Sequence, residues 1–489
     1  MAISYRLRDY QEKARHLVNT EMNQHRNPVF VSPTGTGKTK TAVAIIADRV
    51  KLGGRVFVLV PQIEIFGQWV KDLTEAGLMP GQIRDGKITG VNRKVYVVMP
   101  LTLVNMLRSV PKSLAPTDIV TDECHHSEAS SWKEIYAYYP DAVRLGLTAT
   151  PKRTDGLPLS ETYDSIISTI TMKQAVENGF LARPLCIVPE EFALNVPVIN
   201  GDYDVKAQAQ ILGEPKIVGD IMDMYGRVFL GKPAIVACCN FEHARYMTEQ
   251  FRSEGWNFEH IHSNLPDEER KAIIRRVREG KLNGICTVGI GIEGMDIPGL
   301  YGLIWLRRTM SVTIYLQFCG RVLRPMEDKE YGVILDPVGN VFIHGFPEAD
   351  RQWSLDGTSG ETEEKALVCP CCGTVNSIDS IFCTFCGEDL FQKAKKPGKG
   401  DKKRKIPSVI DGRMVILEEG MIRDVDSKIE EMKHKAEEIR NSEKAQAEAT
   451  KARALRPEEK VRLFRQNIFK PANRENFYDA LKLIGGKEK

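Results

Sequence analysis

At 489 residues, with 42% hydrophobic and 27% charged side chains, the chain is long enough to bury sizeable cores, and two large domains with smaller additions are expected. No apolar run nears the ~20 residues of a membrane span, and residues 1–10 lack a secretory hydrophobic stretch, so a cytoplasmic protein with no membrane partner is the expectation. The net charge of +3 conceals an asymmetry: residues 391–489 carry 26 Lys and Arg against 17 Asp and Glu, a net of +9, which leaves residues 1–390 at −6. A basic tail on an acidic body suits a polyanionic partner.

In chain order, the first informative element is an apolar run at 29–31, followed by Ser32-Pro33-Thr34-Gly35-Thr36-Gly37-Lys38-Thr39 and an amphipathic stretch at 41–50. A strand that ends in a loop without bulky side chains lets successive backbone N–H groups and a helix N-terminus surround phosphates. Lys38 then supplies a cation to the outer phosphates and Thr39 a hydroxyl to Mg²⁺. The usual pattern has glycine where Ser32 stands, a substitution of one small residue for another.

Short apolar runs at 29–31, 56–60, 95–99, 119–121 and 145–147 alternate with helical stretches, which predicts a mostly parallel sheet covered on both faces. Asp122-Glu123-Cys124-His125 closes the fourth of these strands, beside the phosphate loop at the strands' carboxyl ends. Two carboxylates there divide the work: Asp122 holds Mg²⁺, directly or through water, and Glu123 orients and deprotonates the attacking water. A zinc site built from Cys124, His125 and His126 lacks a second ligand pair. After a less regular stretch at 190–215, a second series has strands at 234–238, 259–261, 285–288, 303–306 and 333–335, with helices at 242–252, 266–279 and 311–321. The fold class is therefore α/β with two such domains in tandem.

The ordered motifs resemble those of superfamily 2 helicases and translocases of the DExH type, over almost all of residues 5–345. Leu7-Arg8-Asp9-Tyr10-Gln11 resembles the family's adenine-sensing entry motif, with Gln11 as the adenine contact. The phosphate loop follows, then Val60-Pro61 with Gln68, Thr102-Leu103 and the DECH residues. Gly146-Leu147-Thr148-Ala149-Thr150-Pro151 resembles motif III, with Arg153 and Asp155-Gly156 extending the match. Residues 287–298, including Gly294 and Asp296, resemble motif V. Gln317-Phe318-Cys319-Gly320-Arg321-Val322-Leu323-Arg324 resembles motif VI.

On a helix, Gln317, Gly320, Arg321 and Arg324 share one face and can reach across an interdomain cleft. Arginine's permanent charge and forked donors suit phosphate oxygens. The resemblance implies two RecA-like domains that bind ATP and Mg²⁺ in their cleft and nucleic acid across their top. The expected boundaries are 1–186 and 216–345, joined by 187–215. The Arg-x-Asp-Gly after motif III and the EGxDxP form of motif V are more similar to the DNA-directed branch, which includes restriction-motor subunits, Ssl2-like proteins and RadD-type repair helicases. A duplex translocase without strand separation, an RNA remodeller and a nucleotide-switched scaffold remain alternatives.

Beyond the motor, Cys369-Pro370-Cys371-Cys372-Gly373 and Cys383-Thr384-Phe385-Cys386-Gly387 form two CxxCG knuckles, a zinc-ribbon signature over 366–390. Cys369, Cys372, Cys383 and Cys386 are the expected Zn²⁺ ligands, with pairing through Cys371 left open. The metal supplies most of the folding energy of so small a module. Its role is open between gripping DNA, binding a protein partner and bracing the second domain. A basic linker at 395–405 precedes a hairpin at 409–417 turning at Asp411-Gly412. Val425, Ile429, Met432, Ala436 and Ile439 then mark one helical seam, and a small helical core follows Pro457, so 391–489 reads as a basic, mainly helical tail.

Overall fold

The computed structural model describes residues 5–126, 130–153, 157–189, 196–199, 201–262, 264–288, 297, 299–326 and 329–356, and beyond these 367–368, 375–376, 414–418, 421–424, 427–428, 430–431, 434 and 438. The chain divides into two compact units, Met1–Val425 and Asp426–Lys489. In the second unit, Lys428 pairs with Glu431 at 3.1 Å and His434 with Glu438 at 3.4 Å, spacings of one helical turn. The seam residues expected at 425–439 and the helical core after Pro457 lie outside the described residues.

Within the first unit, one lobe is built on β1 (Pro28–Val31), β2 (Val56–Leu59), β3 (Gly81–Arg84), β4 (Lys87–Thr89), β5 (Val95–Val98), β6 (Asp118–Asp122), β7 (Val143–Thr148) and β8 (Ser165–Ser168). Their order is β4-β3-β5-β2-β6-β7-β1-β8. Pairing is parallel except for β4, which folds back on β3. β1, β2, β5 and β6 are buried at every position, as a sheet covered on both faces requires. Covering helices include α1 (Asp9–Asn23), α2 (Lys38–Lys51), α3 (Ile63–Glu75), α4 (Pro100–Met106), α5 (Ser130–Tyr138) and α6 (Met172–Glu177). The phosphate-loop strand β1 lies between β7 and β8, so the ends of β1, β6 and β7 stand close together.

The second lobe begins earlier than the sequence pattern indicates. β9 (Arg183–Pro189) pairs in parallel with the strand at Tyr331–Leu335 in the second sheet, so the expected limit at residue 186 runs through the middle of a strand. Leu185, Cys186, Ile187 and Val188 are all buried, which identifies β9 as an interior strand. A short hairpin of β10 (Val198–Ile199) and β11 (Asp202–Tyr203), then α7 (Val205–Leu212) and α8 (Pro215–Met224), lead into β12 (Ala234–Cys238).

α9 (Phe241–Ser253), β13 (Phe258–Ile261), α10 (Asp267–Arg278), β14 (Gly284–Val288), β15 (Gly302–Leu306), α11 (Val312–Val322), β16 (Tyr331–Leu335) and α12 (Asn340–His344) complete the core of this lobe. β17 (Leu367–Val368) and β18 (Val375–Asn376) form a separate two-stranded pair. β19 (Met414–Glu418) and β20 (Met421–Asp424) extend the second sheet, which runs β13-β14-β12-β15-β16-β9-β19-β20.

Among the described residues the C-terminal hairpin is 414–424, with Glu418 opposite Met421, so the expected strand end at 417 falls inside β19; the expected turn at Asp411-Gly412 lies outside the described residues. The register with β9, Ile416 opposite Ile187, places the apolar run 414–417 in the ladder.

Candidate active site

The phosphate loop is closed by its own hydroxyls. Ser32 N–H donates to Thr148 O at 3.2 Å, tying the end of β1 to β7. Ser32 Oγ and Thr36 Oγ1 are 2.6 Å apart, and the Thr36 hydroxyl donates to Pro33 O at 2.7 Å. Ser32, in the usual glycine position, therefore staples the base of the loop. Gly35 and Gly37 adopt φ of 88° and 83°, a region that favours glycine, and Gly37 leads directly into α2 with Lys38 and Thr39 in its first turn.

Gln11 is buried against this loop. Its amide nitrogen donates to Thr36 O at 3.2 Å and Gly37 O at 3.3 Å, while its amide oxygen accepts from Arg8 N–H at 2.9 Å. The amide is thus committed to the loop on its donor side, and a free lone pair on its oxygen can still accept from an amine. Beside it, the Arg8 guanidinium lies 4.3 Å over the Phe180 ring, and Tyr10 meets the same ring at 5.4 Å. Arg8 lies within the Leu7–Gln11 segment without having been assigned a role there, and Phe180 carries no local sequence signal.

β6 delivers the two carboxylates differently. Asp122 is 6% exposed, and both its oxygens are engaged: Trp69 Nε1–H donates to Oδ2 at 2.7 Å and Glu123 N–H to Oδ1 at 3.0 Å. Burial pushes the Asp122 carboxyl up from its ordinary value, and Lys38 and the indole pull it back. Glu123 has φ of 48°, an uncommon conformation for a non-glycine residue. Its side chain lies with Oε1 3.6 Å from Lys38 Nζ and Oε2 3.4 Å from His125 Nδ1.

His125 Nδ1 is also 3.2 Å from Thr148 Oγ1, which donates to Thr150 O at 3.0 Å. A polar line therefore runs from Lys38 through Glu123 and His125 to Thr148, whose carbonyl holds Ser32. Loop, carboxylates and the residues resembling motif III form one connected group. Sequence reasoning did not find this place for His125. Among the described residues no cluster of three or more His, Cys, Asp or Glu has the arrangement of a metal site.

The second lobe reaches this group through α11. Ser311 Oγ caps it by accepting from Ile314 N–H at 3.3 Å, and Gln317 and Arg321 are each 8% exposed. Gly320 lies so close to the loop that a Cβ there would fall 2.5 Å from Thr34 Cβ. Across the same contact, a Cβ on Gly35 would lie 3.4 Å from Arg324 Cγ and 3.1 Å from Leu181 Cδ2. Gly320 on α11 is therefore seated on the phosphate loop, and Arg324 reaches the same loop from two residues past the end of the helix, outside the helical face expected to carry it. Thr313 Oγ1 donates to Lys152 O at 3.2 Å, joining α11 to the segment after motif III. Gly294 and Asp296, like Cys369, Cys372, Cys383 and Cys386, lie outside the described residues.

The chain then returns to the first lobe. Arg351 gathers the carbonyls of His344, Phe346, Pro347 and Ala349 at 2.7–3.0 Å, shaping a strap whose Trp353 and Leu355 pack against Val31, Cys124, Leu159 and Tyr163. Leu159 N–H donates to Leu355 O at 2.6 Å. A cavity of about 70 Å³ remains between the strap, Pro33, Thr34, Ala149 and Leu316.

Two parallel sheets with a phosphate loop and paired carboxylates on one, and an arginine-bearing helix seated on that loop from the other, define an ATP-dependent motor enzyme with two RecA-like lobes. Residues 4–153 match the family model described as type III restriction enzyme, res subunit, and residues 220–326 match the helicase conserved C-terminal domain. The chain is 28% identical over 366 residues to a "51.5 kDa protein" of Lactococcus phage (isolate 7-9), covering 73% of this chain and 77% of that protein. It is 29% identical over 367 residues to the "DNA 3'-5' translocase XPB2" of Sulfurisphaera tokodaii, covering 66% of this chain and 80% of that one. The fold is shared with the ATP-dependent Type ISP restriction-modification enzyme LlaBIII bound to DNA, at a TM-score of 0.50 and 18% identity, covering 68% of this chain and 28% of that larger chain. The chain belongs to superfamily 2 of the helicases and translocases, in its DExH branch.

Proposed function

We propose that this enzyme is a nucleic-acid-stimulated, Mg²⁺-dependent ATPase that works on DNA, with hydrolysis gated by seating of α11 on the phosphate loop. The observation that carries the reading is the contact of Gly320 with Thr34 beside the Lys38–Glu123 pair, since it joins motif VI to the hydrolytic residues.

In this reading the loop at 32–39 holds the phosphates through backbone N–H groups such as those of Gly35 and Gly37 and through Lys38, and the Arg8–Phe180 wall with the Gln11 oxygen borders the base. Asp122 and Thr39 have the chemistry for Mg²⁺, which commonly takes one or two carboxylates with substrate oxygens and water. When bound, the ion neutralises charge on the phosphates. Glu123, held between Lys38 and His125, accepts the proton of the attacking water. Arg321 and Arg324 stabilise charge on the transferring phosphoryl group. Gly294 and Asp296 belong to the same cofactor-binding set by their motif. Opening and closing of the lobes moves the strand, gripped mainly through its phosphates and hence in a salt-dependent way.

DNA is favoured over RNA by the similarity to a protein named as a DNA translocase. That name also supports a second reading, a duplex translocase that does not separate strands. Cys369, Cys372, Cys383 and Cys386 are proposed to bind Zn²⁺; the antiparallel β17–β18 pair, which flanks the first knuckle in sequence, fits a ribbon. The module and the basic tail offer surfaces for DNA or for a protein partner.

ATP hydrolysis measured with single-stranded DNA, duplex, fork and RNA, alongside strand separation on the same fork, tests the reading. Stimulation by DNA with fork unwinding is the expected result. Stimulation by duplex with no unwinding selects the translocase, preference for RNA overturns the DNA assignment, and no stimulation by any nucleic acid overturns the motor.

A further inference from the structure

Asp122 lies at the end of β6, and its carboxylate plane is fixed by two donors of different kinds. One is local, the backbone N–H of Glu123 at 3.0 Å from Oδ1. The other comes from 53 residues away: Trp69 Nε1–H, 2.7 Å from Oδ2. Each carboxylate oxygen has two lone pairs, so both oxygens keep one after these bonds. With the plane held at both ends, those remaining lone pairs keep one orientation.

Trp69 is suited to hold that plane. Its side chain is 1% exposed and packs within the main core of the first lobe, with Phe66, Leu73, Val58 and Val120 in the same cluster. A ring locked by packing presents its N–H in one place, which a flexible surface donor cannot do. Its helix, α3, packs directly against α2, which carries Lys38 and Thr39 in its first turn. One rigid block thus links the metal-facing carboxylate to the phosphate-facing helix.

We propose that Trp69 is a positioning residue for the divalent cation of the nucleotide site, its indole N–H setting the orientation in which Asp122 meets Mg²⁺ or its water. The inference rests on the proposed nucleotide site. It assigns Trp69 no contact with nucleotide or metal; its effect passes through Asp122 alone.

The test separates metal-dependent from metal-independent nucleotide binding. A fluorescent ADP analogue is titrated into the full chain with Mg²⁺ and with EDTA, for the unsubstituted protein and for Trp69→Phe, which keeps an aromatic ring and loses the donor. The affinity in EDTA is expected to be unchanged in Trp69→Phe, while the tightening produced by Mg²⁺ shrinks about tenfold, the scale of a hydrogen bond to a charged group. An unaltered Mg²⁺ increment overturns the proposal, and so does an equal loss with and without Mg²⁺, which marks general damage to packing. Absence of any nucleotide binding by the unsubstituted chain overturns the nucleotide site itself.

If Trp69→Phe does not fold, the indole N–H resonances of the unsubstituted protein's five tryptophans provide the readout. One resonance is expected to shift when Mg²⁺ is added to the ADP-bound protein, and the same one should move in Asp122→Asn. No such shared resonance overturns the proposal.

Discussion

The two lobes share a parallel-sheet architecture but contribute to the cleft in unequal ways. In the first, three strand ends and the loops after them converge: Ser32, Lys38, Asp122, Glu123, His125 and Thr148 form one group joined by hydrogen bonds and close charged contacts. In the second, a single helix approaches, and it does so by lacking a side chain at Gly320. The first lobe can therefore assemble a nucleotide site from its own residues, whereas the second adds charge only when docked. In the proposed reading, division of this kind makes hydrolysis depend on closure without making binding depend on it.

That contrast is most sharply tested by separating binding from turnover. Arg321→Ala is expected to lower ATP turnover by ~10³- to 10⁵-fold, the range for a transition-state arginine, with nucleotide affinity of the first lobe retained. Equilibrium nucleotide binding and phosphate release, measured on the same preparation, check this; an equal loss of both would assign Arg321 to ground-state binding. Glu123→Gln, which keeps shape and removes the base, is expected to cost ~10²- to 10⁴-fold in turnover with nucleic acid present. Retention of nucleic-acid-stimulated hydrolysis by that variant would remove Glu123 from the proposed role.

The smallest expected effect concerns stability. In the second lobe, burial pulls His243 and His344 each down to about 4. A histidine whose folded pKa lies below its unfolded value of ~6.5 binds fewer protons when folded, so stability falls as pH drops from about 6.5 towards 4. Each contributes ~2–3 kcal/mol over that interval. Asp336, pushed up to about 6 by burial, acts in the opposite sense across part of the same range and offsets some of the loss. Urea unfolding of the full chain at pH 7 and pH 4.5 should show the net decline, and His243→Gln should flatten it. An equally steep decline in that variant would place the acid sensitivity elsewhere.

The features legible in the sequence are those encoded in contiguous residues. The strand, loop and helix around Lys38 form a local signal, and so do the apolar run before Asp122 and the i, i+3, i+4 spacing in α11. The strands expected at 234–238 and 285–288 are present as β12 and β14, because buried interior strands write continuous apolar runs. Contacts between distant residues leave no local imprint. Trp69 reads as an ordinary core residue until β6 places Asp122 beside it, and Gly320 reads as part of a cleft-facing motif whose contact on the other lobe, Thr34, only the structure reveals. β9 follows the first lobe in sequence yet pairs in the second sheet, and β19 joins that same sheet by pairing with β9, more than 200 residues away in the chain. In both cases the tertiary partner decides the outcome.

In the proposed mechanism, docking of the second lobe on the phosphate loop controls hydrolysis. Gly320→Ala tests it most directly, since alanine is a better helix former than glycine and the added Cβ would fall 2.5 Å from Thr34 Cβ. Nucleotide affinity and ATP turnover with saturating DNA are measured together on this variant. Affinity is expected to be unchanged with turnover reduced about 100-fold, the scale of a 1 Å misplacement of reacting groups; unchanged turnover would contradict control by docking.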